Sequence, residues 1–226
     1  MAAPVSKTPA SPAGTPGARW VDRYLVPRLS DVIPMRTLDG MRILHLEPDD
    51  ADEADRCTEL GAAVTLASLG RTGVLLGALP TITIAGDGAI GAPDAHFDVV
   101  LTGRLGRLAA AVTDPARLIA ECARVCRGTG GMLATLSTGS PASLAGRACD
   151  RARVRGWATI SLLEQSFASV RLLPVNGHFG WSSGGRARRV IGAALDAYWR
   201  TIASPAHPRI YTSPLNPLMI VWASRT

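Results

Sequence analysis

Phe97-Asp98-Val99-Val100-Leu101-Thr102, then Asp114-Pro115-Ala116-Arg117-Leu118-Ile119-Ala120-Glu121-Cys122-Ala123-Arg124-Val125-Cys126-Arg127-Gly128, then Met132-Leu133-Ala134-Thr135-Leu136-Ser137 is the stretch on which the fold turns. The outer pieces are short aliphatic runs bounded by turn residues, and each reads as a buried strand. Between them Asp114 can cap a helix, and Pro115 suits a first helical turn, where its missing N–H costs nothing. Leu118, Ile119, Cys122 and Val125 recur at helical spacing as an inner face, and Gly128 closes the helix. Strand, helix, strand in this order is the unit of a parallel sheet.

The same alternation continues outward. Before it come a strand Met41–Glu47, a helix Asp50–Leu60 opened by the capping-box pair Asp50 and Glu53, a second strand Ala62–Ser68, a helical turn near Gly73–Leu79 and a third strand Thr81–Ala85. After it come a helix Ile160–Phe167, a sixth strand Val170–Val175, a helix Arg186–Ile202 and a last strand Leu218–Ala223. In the long helix Val190, Ile191, Ala194, Leu195, Tyr198, Trp199 and Ile202 form an apolar stripe, which places it against the sheet. The expected architecture is α/β, a doubly wound, mostly parallel sheet, whose ligands sit beyond the carboxyl ends of the strands at the switch point.

Composition fits one such domain. The 226 residues are 47% hydrophobic and 19% charged, so the chain has enough apolar surface to fold and is not disordered throughout. Residues 1–18 are the exception: Pro, Ala, Ser, Thr and Gly dominate, and a disordered tail is expected there, followed by a domain over 19–226. Short helical pieces interrupted by Pro27 and Pro34 open that domain. No apolar run approaches the ~18 residues that span a bilayer, and Met1 to Lys7 do not begin a secretory signal, so a cytoplasmic protein with no membrane contact is expected.

The net charge of +6 is uneven, with Arg147, Arg151, Arg153 and Arg155 in one cluster and Arg186, Arg188 and Arg189 in another. Twenty-three of the 24 cations are Arg, no aromatic residues interleave with them and no nucleic-acid motif is present, so solvated faces are expected rather than a nucleic-acid surface. Cys57, Cys122, Cys126 and Cys149 fit neither a disulfide framework nor a zinc site; Cys122 and Cys126 share a helix face and read as core. No metal is expected.

Gly86-Asp87-Gly88-Ala89, the run Pro93 to Val100 and the run Asp114 to Leu133 together resemble the small-molecule class I S-adenosylmethionine (SAM)-dependent methyltransferases of the ubiquinone/menaquinone type. There the pattern reads G-D-A-x-x-L-P-F-x-D-x-S-F-D-V-V, then D-P-x-x-x-L-x-E-x-x-R-V-L-K-P-G-G-x-L. The resemblance covers roughly residues 20–226. It implies a Rossmann-like seven-stranded sheet in which Leu218–Ala223 inserts antiparallel between the fifth and sixth strands, and it implies SAM as cofactor.

The cofactor motif departs from the pattern. Family members carry V-L-D-x-G-x-G-x-G after the first strand, a loop that lets backbone approach the ligand. Here Glu47, Asp49 and Ala51 replace the three glycines, Pro48 adds a fixed φ, His45 replaces the acid of the strand, and Ser68 stands where the acid at the end of the second strand would hold the ribose. Asp87, with Gly88 and Ala89, keeps the adenine side in register. Two readings of the loop stay open: a closed loop whose acids cap their own helix, and an altered site that binds a cation or a differently posed cofactor.

The resemblance puts the acceptor pocket at the insertion after the fifth strand and the amino-terminal helices, which singles out Trp20, Tyr24, Trp157, His178 and Phe179. His178, His207 and Tyr211 are the weak catalytic candidates. Three functions follow: a pseudo-methyltransferase serving as scaffold or as partner of a related active subunit, a divergent SAM-dependent enzyme acting on a small molecule, or a repurposed cofactor-independent cyclase or isomerase.

Overall fold

A computed structural model describes residues 18, 21–30, 32–33, 37–48, 51–70, 79–137, 156–173, 190, 194 and 218–226. A π-helical turn, Val21–Leu25, runs into a short α-helix α1, Val26–Ser30. Then follow β1 (Arg42–Leu46), α2 (Ala51–Glu59), β2 (Ala63–Leu69), β3 (Thr81–Ile84) and β4 (Phe97–Thr102). The remainder is α3 (Leu105–Ala111), α4 (Pro115–Val125), β5 (Cys126–Ser137), α5 (Gly156–Ser166), β6 (Ser169–Leu173) and β7 (Leu218–Ser224).

The seven strands form one sheet in the order β3-β2-β1-β4-β5-β7-β6. β3 through β5 are parallel, and β7 runs antiparallel to both β5 and β6, from Gly131 opposite Ser224 to Ser137 opposite Leu218 on the β5 side. The strand order reverses between β1 and β4, so the crevice lies at the carboxyl ends of those two strands.

Alternation along each strand divides the core between two faces. Leu44, Leu46, Val100, Met132 and Ala134 pack with Leu105, Leu108, Leu118, Ile119, Cys122 and Leu163, so α3, α4 and α5 cover one face. Ile43, Val64, Leu66, Val99, Leu101 and Trp222 pack with Val21, Leu25, Leu29, Ala54 and Cys57, so α2 and the amino-terminal turns cover the other. Arg56 pins these together, donating from Nε to Asp22 and from Nη1 to Glu59, each at 2.9 Å. Pro27 falls in the first turn of α1, where a missing N–H is tolerated.

Helix α4 follows its sequence signals: Asp114 is the cap, accepting from the Arg117 N–H at 2.9 Å, and Pro115 is the first helical residue. It ends earlier than Gly128, however. Cys126 turns extended, and the amides of Ala95 and His96 take the carbonyls of Arg124 and Val125, which leaves the ladder no continuation. Cys126 therefore lies on β5 rather than on the helix face with Cys122, and both are buried. Helix α3 was not foreseen.

Ala18, at the end of the expected tail, is helical and fully buried. One further expectation is corrected at two positions. Val190 and Ala194 are helical but exposed, Val190 at 63%. Residues 1–17, the turn at 73–78 and the rest of the Arg186–Ile202 helix lie outside the described residues, as do both Arg clusters.

Candidate functional site

The crevice begins where β1 stops. The Glu47 amide still donates to the Ala67 carbonyl at 2.8 Å, extending the β1–β2 ladder by one bond, and then the chain turns with φ +44° at Glu47. That is the left-handed region glycine favours, occupied here by a glutamate where the sequence resemblance leads one to expect a glycine. For a side-chain-bearing residue the conformation costs roughly 1–2 kcal/mol. A bond from the Glu47 carboxylate offsets it: Oε1 accepts from the Leu69 N–H at 2.5 Å, at the end of β2. A hydrogen bond to a charged group contributes about 1.5–3 kcal/mol, so the capped turn is stable as built.

Glu47 thus does not project straight out of β1. Its carboxylate crosses to the end of β2, where it bonds the amide next to Ser68. Ala51 is the first residue of α2, and Asp49 lies outside the described residues. Asp52 and Glu53 fill the first turn of α2, where the helix dipole favours anions. The crowding has a cost further along: burial, then the charges of Asp52 and Glu59, raise the Asp55 carboxyl above its ordinary range.

His45 is 1% exposed and sits between Leu66 and Leu101 of the neighbouring strands. Its Nε2 lies 3.2 Å from Glu53 Oε2, and no hydrogen bond to either ring nitrogen is formed among the described residues. The side chain is buried beneath α2 rather than open to the crevice, the arrangement of a structural histidine.

At the end of β3, Gly86 to Ala89 form a tight turn closed by Gly88 N to Ala85 O and Ala85 N to Ala89 O, both 2.8 Å. Gly88 has φ +89°, and a Cβ there would stand 2.9 Å from the Leu118 nitrogen and 3.0 Å from the Asp114 carbonyl. Only glycine lets this turn seat on the first turn of α4. Asp87 is held in place by Ala89 N at 3.1 Å and by Arg117 Nη1 at 2.6 Å, so both carboxylate oxygens have protein partners.

The Glu121 and Arg124 positions of the second motif do structural work. Arg124 grips Glu121 through two 2.8 Å bonds and reaches the carbonyls of Ala92 (2.9 Å) and Ile90 (3.0 Å) and the Asp94 carboxylate, while Glu121 accepts from Ile90 N at 3.0 Å. The pair fastens the β3–β4 connection to α4. The bonds from Arg124 hold the Glu121 carboxyl below its ordinary range.

Thr102, Gly103 and Arg104 stand at the end of β4, on the other side of the switch point, and were not singled out from sequence. Thr102 Oγ1 accepts from Arg104 N at 3.2 Å and Thr135 Oγ1 donates to Gly103 O at 2.5 Å. Their position directly after the strand Phe97–Thr102 was the available signal. Trp20, His178, Phe179, His207 and Tyr211 lie outside the described residues, and so do the side chains of Tyr24 and Trp157. Among the described residues no three His, Cys, Asp or Glu side chains gather to hold a metal, and no helix is long and apolar enough to cross a membrane.

Neither a protein-family model nor a curated protein sequence matches the chain. Solved structures do. A SAM-dependent methyltransferase from Archaeoglobus fulgidus superposes with a TM-score of 0.53 at 15% identity, over 88% of this chain and 93% of that one. A protein from Anabaena variabilis assigned as a methyltransferase of an antibiotic biosynthesis pathway gives 0.57 at 12%, over 88% and 96%. The fold is that of the class I SAM-dependent methyltransferases. A third methyltransferase, the phosphoethanolamine N-methyltransferase 2 of Haemonchus contortus in complex with phosphomonomethylethanolamine and S-adenosylhomocysteine, gives 0.53 at 12%, over 88% of this chain and 52% of that one. In this sheet Glu47 directly follows β1, Ser68 is the last residue but one of β2, Asp87 lies three residues past β3 and Thr102 ends β4, with β1 and β4 on either side of the switch point.

Proposed function

We propose that this chain is a pseudo-methyltransferase, a diverged relative of the small-molecule ubiquinone/menaquinone type, with SAM binding lost or much weakened, serving as a scaffold or as partner subunit of a related active enzyme. The observation that carries this reading is Glu47: a glutamate in a left-handed turn, its carboxylate bonded to the Leu69 amide, where a bare backbone would have to approach the cofactor. The residues present do not fit the methionine portion of SAM. Glu47 adds bulk and negative charge at the first glycine position, and a like charge at ~4 Å opposes a carboxylate by about 1 kcal/mol in water and by more when partly buried. Pro48 removes an N–H donor from the same loop, and Ser68 offers a hydroxyl where a carboxylate would accept two hydroxyl donors. Asp87 has its oxygens engaged by Ala89 and Arg117.

One observation favours a second reading, a divergent SAM-dependent enzyme acting on a small molecule. The chain at Glu47 has a positive φ, as a glycine loop would, and the Gly86–Ala89 turn is formed, two backbone features that a cofactor-binding site of this fold would need.

Titration calorimetry of the full chain with SAM and S-adenosylhomocysteine separates the two. No heat of binding is expected from the wild type. The quadruple variant Glu47→Gly, Asp49→Gly, Ala51→Gly, Ser68→Asp is expected to gain affinity for both ligands. Binding by the wild type at low micromolar concentration overturns the pseudoenzyme reading and makes the divergent enzyme the better account.

A further inference from the structure

His45 is a buried titratable group that the crevice does not use. It lies on β1 between Leu66 of β2 and Leu101 of β4, beneath α2, and its side chain is 1% exposed. The group facing it from α2 is Glu53, 12% exposed, with Oε2 3.2 Å from Nε2. That is ion-pair distance, yet neither ring nitrogen makes a hydrogen bond among the described residues.

The two charge states of the ring differ in such a place. A neutral imidazole keeps one N–H and one bare nitrogen, and an imidazolium has an N–H at both. Nδ1 is unpaired in either state, so the difference lies at Nε2. There an imidazolium offers Glu53 a donor in which both partners carry charge, the stronger kind of hydrogen bond. A neutral ring offers either a weaker donor or a lone pair set against a carboxylate.

The surroundings add no second switch of the same kind. The strand residues on this face, Val64, Leu66, Val99 and Leu101, are apolar. The other titratable groups on the covering elements are Asp52, Asp55, Arg56, Cys57 and Glu59 of α2, Asp22 of the π-helical turn and Arg28 of α1. Arg56 is taken up by Asp22 and Glu59, and the Cys57 thiol, pushed up to about 12 chiefly by burial, is neutral. His45 stands two residues before the Glu47 turn, and Glu53 two residues after the start of α2 at Ala51. Their contact therefore ties together the two ends of the connection from β1 to α2.

We propose that His45 and Glu53 form a proton-operated latch across the β1–α2 connection, closed as an imidazolium–carboxylate pair and slack when the ring is neutral. The latch sets how firmly the first turn of α2 is held on the sheet, and it works whether or not the crevice binds SAM. A histidine ring changes charge between about pH 5 and 8, where ordinary carboxylates stay ionised. The closed pair holds a proton that the slack one lacks, so the stabilisation is present at the lower end of that range and is lost as the pH rises.

The amides of Asp55, Arg56 and Cys57 close the first turn of a helix spanning Ala51–Glu59, and their hydrogen exchange reports its opening. Measured by NMR on the full chain and corrected for the intrinsic rate, their protection is expected to fall by about tenfold from about pH 6 to about pH 8, the loss of one charge-assisted bond. The midpoint is expected to coincide with that of the His45 ring resonance. Glu53→Gln keeps an acceptor oxygen and removes the charge, and its protection is expected to be flat over the range, as is that of His45→Gln. Asp55 shares the turn and its carboxyl is raised above the ordinary value, first by burial, so Asp55→Asn is the control, with His96→Gln for the other described histidine. Both are expected to keep the wild-type dependence. Protection independent of pH in the wild type, a dependence that survives in Glu53→Gln, or one abolished by Asp55→Asn or His96→Gln overturns the proposal. If Glu53→Gln and His45→Gln do not fold, the wild-type midpoints decide: agreement between ring and amides supports the latch, and disagreement overturns it.

Discussion

Replacing Arg124 by Met should destabilise the protein by about 2–4 kcal/mol, and the figure follows from what the guanidinium leaves behind. Arg124 donates two bonds to Glu121, one each to the carbonyls of Ala92 and Ile90, and one to Asp94. Asp94 is 78% exposed and contributes little, because water replaces the arginine there. Glu121 is only 18% exposed and would be stranded as a carboxylate with Ile90 N as its remaining partner. Removing one member of a fully buried ion pair costs about 3–5 kcal/mol; the 32% exposure of Arg124 lowers that range for this pair. For a chain of this length the loss corresponds to a fall in Tm of roughly 5–15 °C. Glu121 adds a pH signature. Its folded carboxyl titrates below the ordinary value of 4.5, so its stabilisation is complete above that pH and is lost as the pH falls through the lower, folded value. Urea unfolding at pH 7 and at about pH 3.5 should therefore show the difference between wild type and Arg124→Met shrinking in acid. A variant within about 0.5 kcal/mol of wild type at pH 7, or one with the same acid slope, would refute the clamp.

Gly88→Ala should cost about 2–4 kcal/mol, since its Cβ meets backbone of α4 at 2.9 and 3.0 Å and its φ of +89° disfavours any side chain; a thermal melt unchanged from wild type would show that the turn does not seat on α4 as described. Burial pushes the thiols of Cys57 and Cys126 up to about 12, and that of Cys122 well above its usual value, so none is ionised at neutral pH. Peptide mapping after treatment with a thiol reagent should find these three cysteines unmodified in the native protein and modified after denaturation, and native labelling at any of them would contradict their burial.

The strands were legible because a parallel sheet covered on both faces needs unbroken aliphatic runs, and Phe97–Thr102 and Leu218–Ala223 have no competing reading. Asp114 and Pro115 located a helix start because cap and first-turn chemistry are local. Helix α3 escaped notice although Leu105, Leu108, Ala109 and Val112 are spaced for a helix. Gly106 interrupts it, and its cap position is Arg104, which makes no side-chain cap, so the usual start signal is missing. At the crevice, the sequence resemblance singled out Glu47 as standing where a glycine is expected, but not where its carboxylate goes. That depends on Leu69, 22 residues away, becoming a neighbour through the β1–β2 register. Glu121 and Arg124 were visible as part of a motif, and their role as a fastener became readable only when the 90–94 connection was placed beside α4.

The position of β7 also governs how the molecule is assembled. Among the described residues β6 pairs with no strand other than β7, and β7 lies between β5 and β6 while following both in the chain. The five parallel strands can therefore associate first, leaving Gly131–Ser137 as an open edge until a segment more than 80 residues further along closes it. That edge reads Gly-Met-Leu-Ala-Thr-Leu-Ser, apolar and free of charge or proline, which is the composition that recruits a strand from another chain. Yield from the ribosome or from refolding then depends on the arrival of β7 outpacing encounters between half-finished copies, a race set by protein concentration and temperature rather than by the stability of the finished sheet.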